Sequence, residues 1–223
     1  MRIDLDMSVT CVDGPFGELA DVVIDPETRR LTHVVVQPHD HQERVRLMPI
    51  DGARGGDESE GIALECTIAK LSQSGSIQES AYLRIGEHIE GGSDWDVGIQ
   101  EIYSLSEYGN LGPEALGAGM ALEYDQHMSV SYHRVPKGGV EIRRASPVTS
   151  SDGHHLGHVV GFVIDDDERI TLLVLEHGHL WGKRMVAISS PAIERFETDA
   201  LALSLTSDEV AALKSVPAHR WWS

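Results

Sequence analysis

Short apolar runs, rich in Val and Ile and separated by polar turn residues, recur along the chain. Residues 19–25 and 31–36 form two such runs, and Pro26-Glu27-Thr28-Arg29 between them is short and polar enough to close a hairpin. Runs of this length and composition are typical of strands, because an amphipathic helix would need a longer stretch with a period near 3.6 residues. The pattern predicts a mainly β protein.

The same order of turns and runs occurs twice. Val9-Thr10 opens the first copy and Val148-Thr149 the second, and the runs 159–165 and 170–175 repeat those at 19–25 and 31–36. Several strands in so short a span suggest a small closed or nearly closed barrel, since closure removes exposed strand edges. We therefore predict one barrel domain in residues 1–90, a second in residues 140–223, and a linker rich in glycine and polar residues at 91–139.

Each copy is predicted to end in a short helix. The signal is clearer in the second copy, where Thr206-Ser-Asp-Glu209 reads as a capping box before Val210. Pro217 is expected to end that helix.

Several motifs resemble the PRC-barrel family in its bacterial tandem, two-barrel type. They are Asp152-Gly153 followed by Gly157, the run 170–175, and above all Gly178-His-Leu-Trp-Gly182 leading into Lys183-Arg184. The family includes the cytoplasmic part of the photosynthetic reaction-centre H subunit and the barrel of a ribosome-maturation factor. The resemblance implies two six-stranded barrels that act as interaction modules and carry no catalytic residues. The acidic turn at 165–168 departs from the family's usual turn sequence.

The charge of the chain limits its partners. The formal net charge is -18, from 36 acidic and 18 basic residues, which argues against direct nucleic-acid binding because that needs clustered Lys and Arg. An acidic surface suits a basic protein partner, or simply solubility. With no long apolar run and no signal-peptide pattern, we expect no membrane span and a cytoplasmic location. Cys11 and Cys66 are predicted to be buried thiols, and a homo-oligomer is left open.

Two His-x-His motifs are the candidate metal ligands. His39-Asp-His41 and His177-Gly-His179 follow the same predicted strand in the two copies. Residues two apart in an extended chain face the same side, so each motif could place two imidazoles on one divalent metal ion. The competing interpretation is that these histidines are exposed or hydrogen-bonded turn residues.

Two further groups have plainer explanations. His154-His155 and His158 occupy a predicted hairpin of the second copy and are expected to be solvated. The acidic turn at 165–168 could hold calcium, but it lacks the glycine and the distal glutamate of an EF-hand loop.

The leading functional prediction is a non-enzymatic binding or scaffolding protein that mediates protein–protein interaction. No catalytic signature such as a nucleophile elbow or a phosphate-binding loop is present. Trp181, Arg220, Trp221 and Trp222 are candidate partner-binding residues, although the tryptophans could instead pack back on the second barrel. The alternatives are a histidine-based metal-binding protein or metal-dependent enzyme, and a factor associated with ribosome assembly, which rests on the resemblance alone.

Overall fold

A computed structural model describes residues 1–39, 45–55, 61–74, 76–84, 87–105, 127–178 and 183–216. Strands dominate this part of the chain, so the prediction of a mainly β protein is confirmed. The strands are, in chain order, β1 (Arg2–Asp4), β2 (Ser8–Cys11), β3 (Gly14–Asp25), β4 (Arg30–Pro38), β5 (Arg46–Pro49), β6 (Ala53–Gly55), β7 (Ile62–Leu64), β8 (Gln78–Arg84), β9 (Trp95–Leu105), β10 (His127–Pro136), β11 (Val140–Arg143), β12 (Pro147–Thr149), β13 (His155–Ile164), β14 (Ile170–His177), β15 (Arg184–Ser189), β16 (Ile193–Glu197), β17 (Ala200–Leu203) and β18 (Ser215–Val216).

The chain divides into two compact units, and both sequence copies fall in the first. That unit comprises Met1–Ile77 and Gly138–Ser223. In the first copy the strands follow the order β5-β4-β3-β2-β7-β6, and in the second β15-β14-β13-β12-β17-β16, with β18 added beside β15. The two sheets therefore share one topology, in which β2 runs parallel to β7 and β12 parallel to β17. The repeat in the sequence is also a repeat in the fold.

The two copies exchange their first strands. Strand β1 of the first copy pairs with β13 of the second, with Ile3 opposite Phe162, while β11 of the second pairs with β3 of the first, with Ile142 opposite Val22. Ile3 and Ile142 are both fully buried. They belong to one continuous hydrophobic core of mainly Val, Ile and Leu that runs through both copies. The sequence led us to expect two separate domains, and the structure instead builds both copies into one compact unit.

Each copy contains a short helix after its last core strand, as the sequence predicts. Helix α1 (Ile68–Gln73) begins after Thr67, whose side chain accepts the Lys70 N–H. Helix α2 (Ser207–Ala212) begins after Thr206, and the expected capping box with Glu209 is present. A carboxylate from the first hairpin of each copy adds a second cap to the helix. Asp13, between β2 and β3, accepts the Ile68 N–H at 2.8 Å, and Asp152, between β12 and β13, accepts the Ser207 N–H at 3.1 Å.

The second unit, Gln78–Lys137, is a three-stranded antiparallel sheet with the order β8-β10-β9. Two of its strands lie in the segment that the sequence led us to treat as a linker. Glu79 on β8 links that strand to β10 by side-chain contacts: it accepts hydrogen bonds from the Tyr132 hydroxyl and the Arg134 guanidinium, both at 2.8 Å. Arg134 in turn lies over the Trp95 ring, 5.2 Å from its centroid. A network of this kind fixes strand register on one face of the sheet.

Among the described residues, none of the helices has the length and apolar character that crossing a bilayer requires.

Candidate functional site

A cleft of about 470 Å³ lies where the β3–β4 turn of the first copy meets the β13–β14 turn of the second. Residues from both copies line it: Asp25, Thr28, Arg30, Leu31, Thr32, Pro49, Ile50, Asp51 and Glu168. Glu168 is the contribution of the second copy. The cleft is therefore lined mainly by the first copy and completed on one side by the second.

Reciprocal backbone hydrogen bonds bring the two turns together. The Leu31 N–H donates to the Glu168 carbonyl, and the Ile170 N–H donates to the Arg29 carbonyl, both at 2.9 Å. Arg29 and Glu168 hold the same place in their turns, and both have positive φ, at 57° and 62°. This conformation is uncommon for residues other than glycine. Each turn thus presents the carbonyl that the other copy needs, so the junction has an approximate twofold symmetry.

Carboxylates outnumber cations in the cleft. Asp25 accepts a hydrogen bond from the Thr28 hydroxyl at 2.7 Å, and this bond, with those from the Thr28 and Glu27 N–H groups, lowers the pKa of Asp25. Glu168 accepts from the Arg30 guanidinium at 2.5 Å, so that pair is neutralised. Asp51 is exposed at the cleft. Three carboxylates face one guanidinium, which leaves the cleft negative and attractive to a cation.

His33 is placed next to the cleft by its strand. Its Nδ1 lies 3.0 Å from the hydroxyl of Thr32, a lining residue. Burial lowers the pKa of His33, and the negative charge of Asp51 opposes this in part. A lowered pKa leaves the ring neutral at pH 7, so His33 does not cancel the negative charge of the carboxylates.

On the other side of the junction, the space that corresponds to the cleft is occupied by an arginine side chain of the protein itself. Ile50 and Ser190 each begin a 3-10 turn, Ile50–Gly52 and Ser190–Ala192, and each carbonyl accepts the N–H three residues later. At Ser190 the carbonyl also accepts a hydrogen bond from the guanidinium of Arg29. On the cleft side the residue equivalent to Arg29 is Glu168, which pairs with Arg30 instead. The symmetry therefore fails where Glu168 stands in place of an arginine equivalent to Arg29, and the cleft lies on that side.

The histidines predicted as metal ligands are placed as follows. His39 is exposed, and its N–H donates to the Phe16 carbonyl at 3.0 Å. His177 is half-buried, and its Nδ1 donates to the Leu156 carbonyl at 2.7 Å. Among the described residues, neither belongs to a group of three metal-ligating side chains close enough to hold one ion. His41 and His179 lie outside the described residues.

The two His-x-His motifs also do not occupy equivalent positions in the two copies, because they are offset by one residue. Pro38 pairs with Gly17 in the first copy, whereas His177 pairs with Gly157 in the second. His177 is therefore the counterpart of Pro38, not of His39. The predicted partner-binding residues Trp181, Arg220, Trp221 and Trp222 lie outside the described residues.

The acidic turn considered as a calcium loop is closed by its own hydrogen bonds. Asp165 Oδ1 accepts from the N–H groups of Asp167 and Arg169, at 3.0 and 2.9 Å. The equivalent carboxylate of Asp25 makes the same kind of turn in the first copy. This carboxylate therefore shapes the hairpin.

Sequence reasoning located both turns but missed the cleft. The only signal was the matched placement of Asp25 and Asp165 in the repeat, which marks the hairpins without showing that they meet. Neither a protein-family model nor a curated protein sequence matches the chain.

Proposed function

We propose that this chain is a non-enzymatic tandem protein of the PRC-barrel type that binds another protein, and that the cleft between its copies receives a basic side chain of that partner. The proposal rests on a difference between the two sides of the junction. On one side the Arg29 guanidinium occupies the space beside the Ser190 carbonyl, and on the other side the equivalent space is the acidic cleft. The shared order of six strands in each copy, followed by a short helix, supports the barrel type.

Charge and geometry favour a guanidinium as the group recognised. At the filled position, the chain uses a planar fork of N–H donors against a carbonyl at the start of a 3-10 turn. In the cleft, the equivalent turn starts at Ile50 and is followed directly by the exposed carboxylate of Asp51. An arginine from a partner would find the same carbonyl position with an added opposite charge. The net charge of -18 would speed the approach of a basic partner.

The exchanged strands suit a scaffold. Each copy contributes a strand to the sheet of the other, so the two turns that form the cleft are held by the shared core and not by a flexible tether. Binding to a preformed site avoids the entropy cost of ordering two domains.

The test is an NMR titration of the full chain with the peptide acetyl-Gly-Arg-Gly-amide. We expect the amide signals of Leu31, Thr32 and Asp51 to shift, and an otherwise identical citrulline peptide, which lacks the charge, to leave them in place. Asp51→Asn should weaken binding a few-fold, as for an exposed ion pair worth about 0.5 kcal/mol. Glu194→Gln, an exposed carboxylate on β16, is the matched control and should change nothing.

Two results would contradict the proposal. One is equal binding of the arginine and citrulline peptides, and the other is a set of shifted signals remote from the cleft.

A second experiment addresses a protein partner directly: a photoreactive residue is placed at Glu27, beside cleft residue Thr28, or at Glu194, and the chain is irradiated in its native host. Proteins cross-linked from position 27 and not from position 194 support a partner at the cleft, whereas identical sets from both positions count against it.

A further inference from the structure

His155 and His158 form an exposed pair of imidazoles at the start of β13. Their ring centroids are 5.0 Å apart, with an angle of 64° between the ring planes. Residues three apart in a regular strand face opposite sides, but a β-bulge intervenes here: Thr149 pairs with His155 and Val148 with Gly157, so Leu156 is the extra residue. The bulge turns both histidines to one face of the sheet.

One of the two rings is already held in the form that a metal ion needs. Nδ1 of His158 lies 2.9 Å from the Ala145 carbonyl and donates to it. The proton on Nδ1 leaves Nε2 of the neutral ring with a free lone pair. Histidines that ligate metals commonly donate their other ring N–H to a carbonyl in this way, which fixes the tautomer and the ring orientation.

The separation of the rings fits a shared ion. A metal–nitrogen bond of about 2.0 Å places the ion about 3.2 Å from the centroid of a ligating ring, so two rings at a tetrahedral angle have centroids about 5.2 Å apart. The observed 5.0 Å agrees with this value. The His155 side chain is exposed, so rotation about its torsions can aim its nitrogen at the ion without disturbing the core.

The charges beside the pair do not oppose a cation, because the nearest carboxylate is neutralised by a lysine. Glu176 stands opposite His158 on the neighbouring strand β14, and Lys183 pairs with it at 2.9 Å. The first copy has Pro15 and Glu18 in place of the two histidines, so the pair occurs in the second copy alone. From this geometry we propose that His155 and His158 bind one divalent transition-metal ion, such as Zn²⁺ or Ni²⁺, through one ring nitrogen each, with water completing the coordination.

The site is distinct from the two His-x-His motifs, and its test separates them. The full chain, without a histidine tag and treated with chelator, is titrated with ZnCl₂ by calorimetry. His155→Ala and His158→Ala should each weaken binding about tenfold or more, the scale on which metal sites respond to the loss of a supporting group. His154→Ala is the matched control, because His154 is an exposed histidine of the same hairpin that lies beside Asp152, at 3.8 Å. It should bind zinc like the unmodified chain.

A second measurement uses the unmodified protein, so it does not depend on any variant folding. Paramagnetic NiCl₂ added below one equivalent should broaden the amide signals around residues 155–158 first. The proposal is overturned if the double variant His155→Ala/His158→Ala binds zinc as tightly as the unmodified chain, or if broadening centres on His39. Equal loss of affinity in His154→Ala would also overturn it, because the ion would then belong to the hairpin as a whole and not to this pair.

Discussion

Cys11 and Cys66 are buried and free, as the sequence led us to expect of them. Burial raises the pKa of Cys11 to about 12, and the adjacent thiol of Cys66 adds to the effect. In the second copy the equivalent residues are Ser150 and Leu205, so the pair of thiols fills a space that the other copy fills without sulfur. The two cysteines are therefore packing residues in this fold.

We expect both thiols to react slowly with a disulfide reagent at pH 8 in the native protein. Attack requires the thiolate, which a pKa of about 12 makes scarce at Cys11, and at both cysteines the reagent must reach a buried side chain. Absorbance of the released thiol measures the rate, and the same reaction in guanidinium chloride supplies the fast reference. Rapid labelling of either thiol in native buffer would show that the cysteine concerned is not buried as described.

His33 should make the protein less stable as the pH falls. Burial lowers the pKa of its ring below the ordinary value of 6.5, so the unfolded chain takes up a proton at a higher pH than the folded chain does. Stability then rises with pH between the folded pKa and 6.5, and is lost as the pH falls through that window. Urea unfolding at pH 5.5 and pH 7.5 measures the difference. The His33→Gln variant should lose less stability between pH 7.5 and pH 5.5 than the unmodified protein does. An equal loss of stability in the two proteins would rule His33 out as the cause.

Within the elements, Gly17 and Gly157 allow β3 and β13 to approach their neighbours. A Cβ atom added at Gly17 would lie 2.0 Å from the Gln37 carbonyl oxygen, and one at Gly157 would lie 1.9 Å from that of Glu176. Gly157 also has a φ of 145°, which other residues rarely adopt. The close approach recurs in both copies, so it is part of the fold.

Gly17→Ala and Gly157→Ala should each lower the free energy of unfolding by about 2 kcal/mol or more, because backbone must move to admit the methyl group. Gly157→Ala should lower the free energy of unfolding more than Gly17→Ala, since alanine would also be strained at the φ of Gly157. Gly52→Ala is the control: a Cβ there meets nothing within 4 Å, so stability should stay nearly unchanged. Denaturant midpoints measure all three, and equal midpoints for Gly157→Ala and Gly52→Ala would contradict the description of the strands.

The elements that sequence could predict are those with local signals. The β-branched runs at 19–25 and 31–36 lie in β3 and β4, and the Thr206–Glu209 capping box does begin α2. The exchanged strand β1, Arg2–Asp4, could not be predicted, since three residues show no period. In β9 and β10, glycine and serine obscure the alternation, so the sequence predicts a linker there. Local chemistry determines the hairpins, and pairing between distant segments determines the rest.

For the whole molecule, strand exchange explains why neither the domains nor the cleft could be found from sequence. The repeat suggests two barrels in series, but β1 and β11 each complete the other copy. The cleft depends on Arg30 meeting Glu168, which is 138 residues away along the chain. No periodicity or motif reports a contact of that range, because the two turns are drawn together by the burial of a shared core.

The same exchange predicts that the copies depend on each other for folding. Residues 1–77 and 138–223, produced as separate chains, should each be poorly folded, because Ile3 and Ile142 lose the sheets that bury them and each such burial is worth about 2–3 kcal/mol. Mixed together, they should associate one to one and gain β-sheet circular dichroism that neither fragment shows alone. The segment between them can be omitted, since Gln78–Lys137 forms a compact unit of its own.

Ile142→Asp in the second fragment should abolish that association, because a charge would enter the core of the first copy. Arg144→Ala is the matched control: Arg144 also contacts the first copy, through Asp6 at 2.9 Å, but both side chains are about half exposed, so the pair is worth little. Analytical ultracentrifugation of the mixtures measures association. If each fragment folds alone and the two remain separate, the copies are independent domains and the exchanged strands do not hold them together.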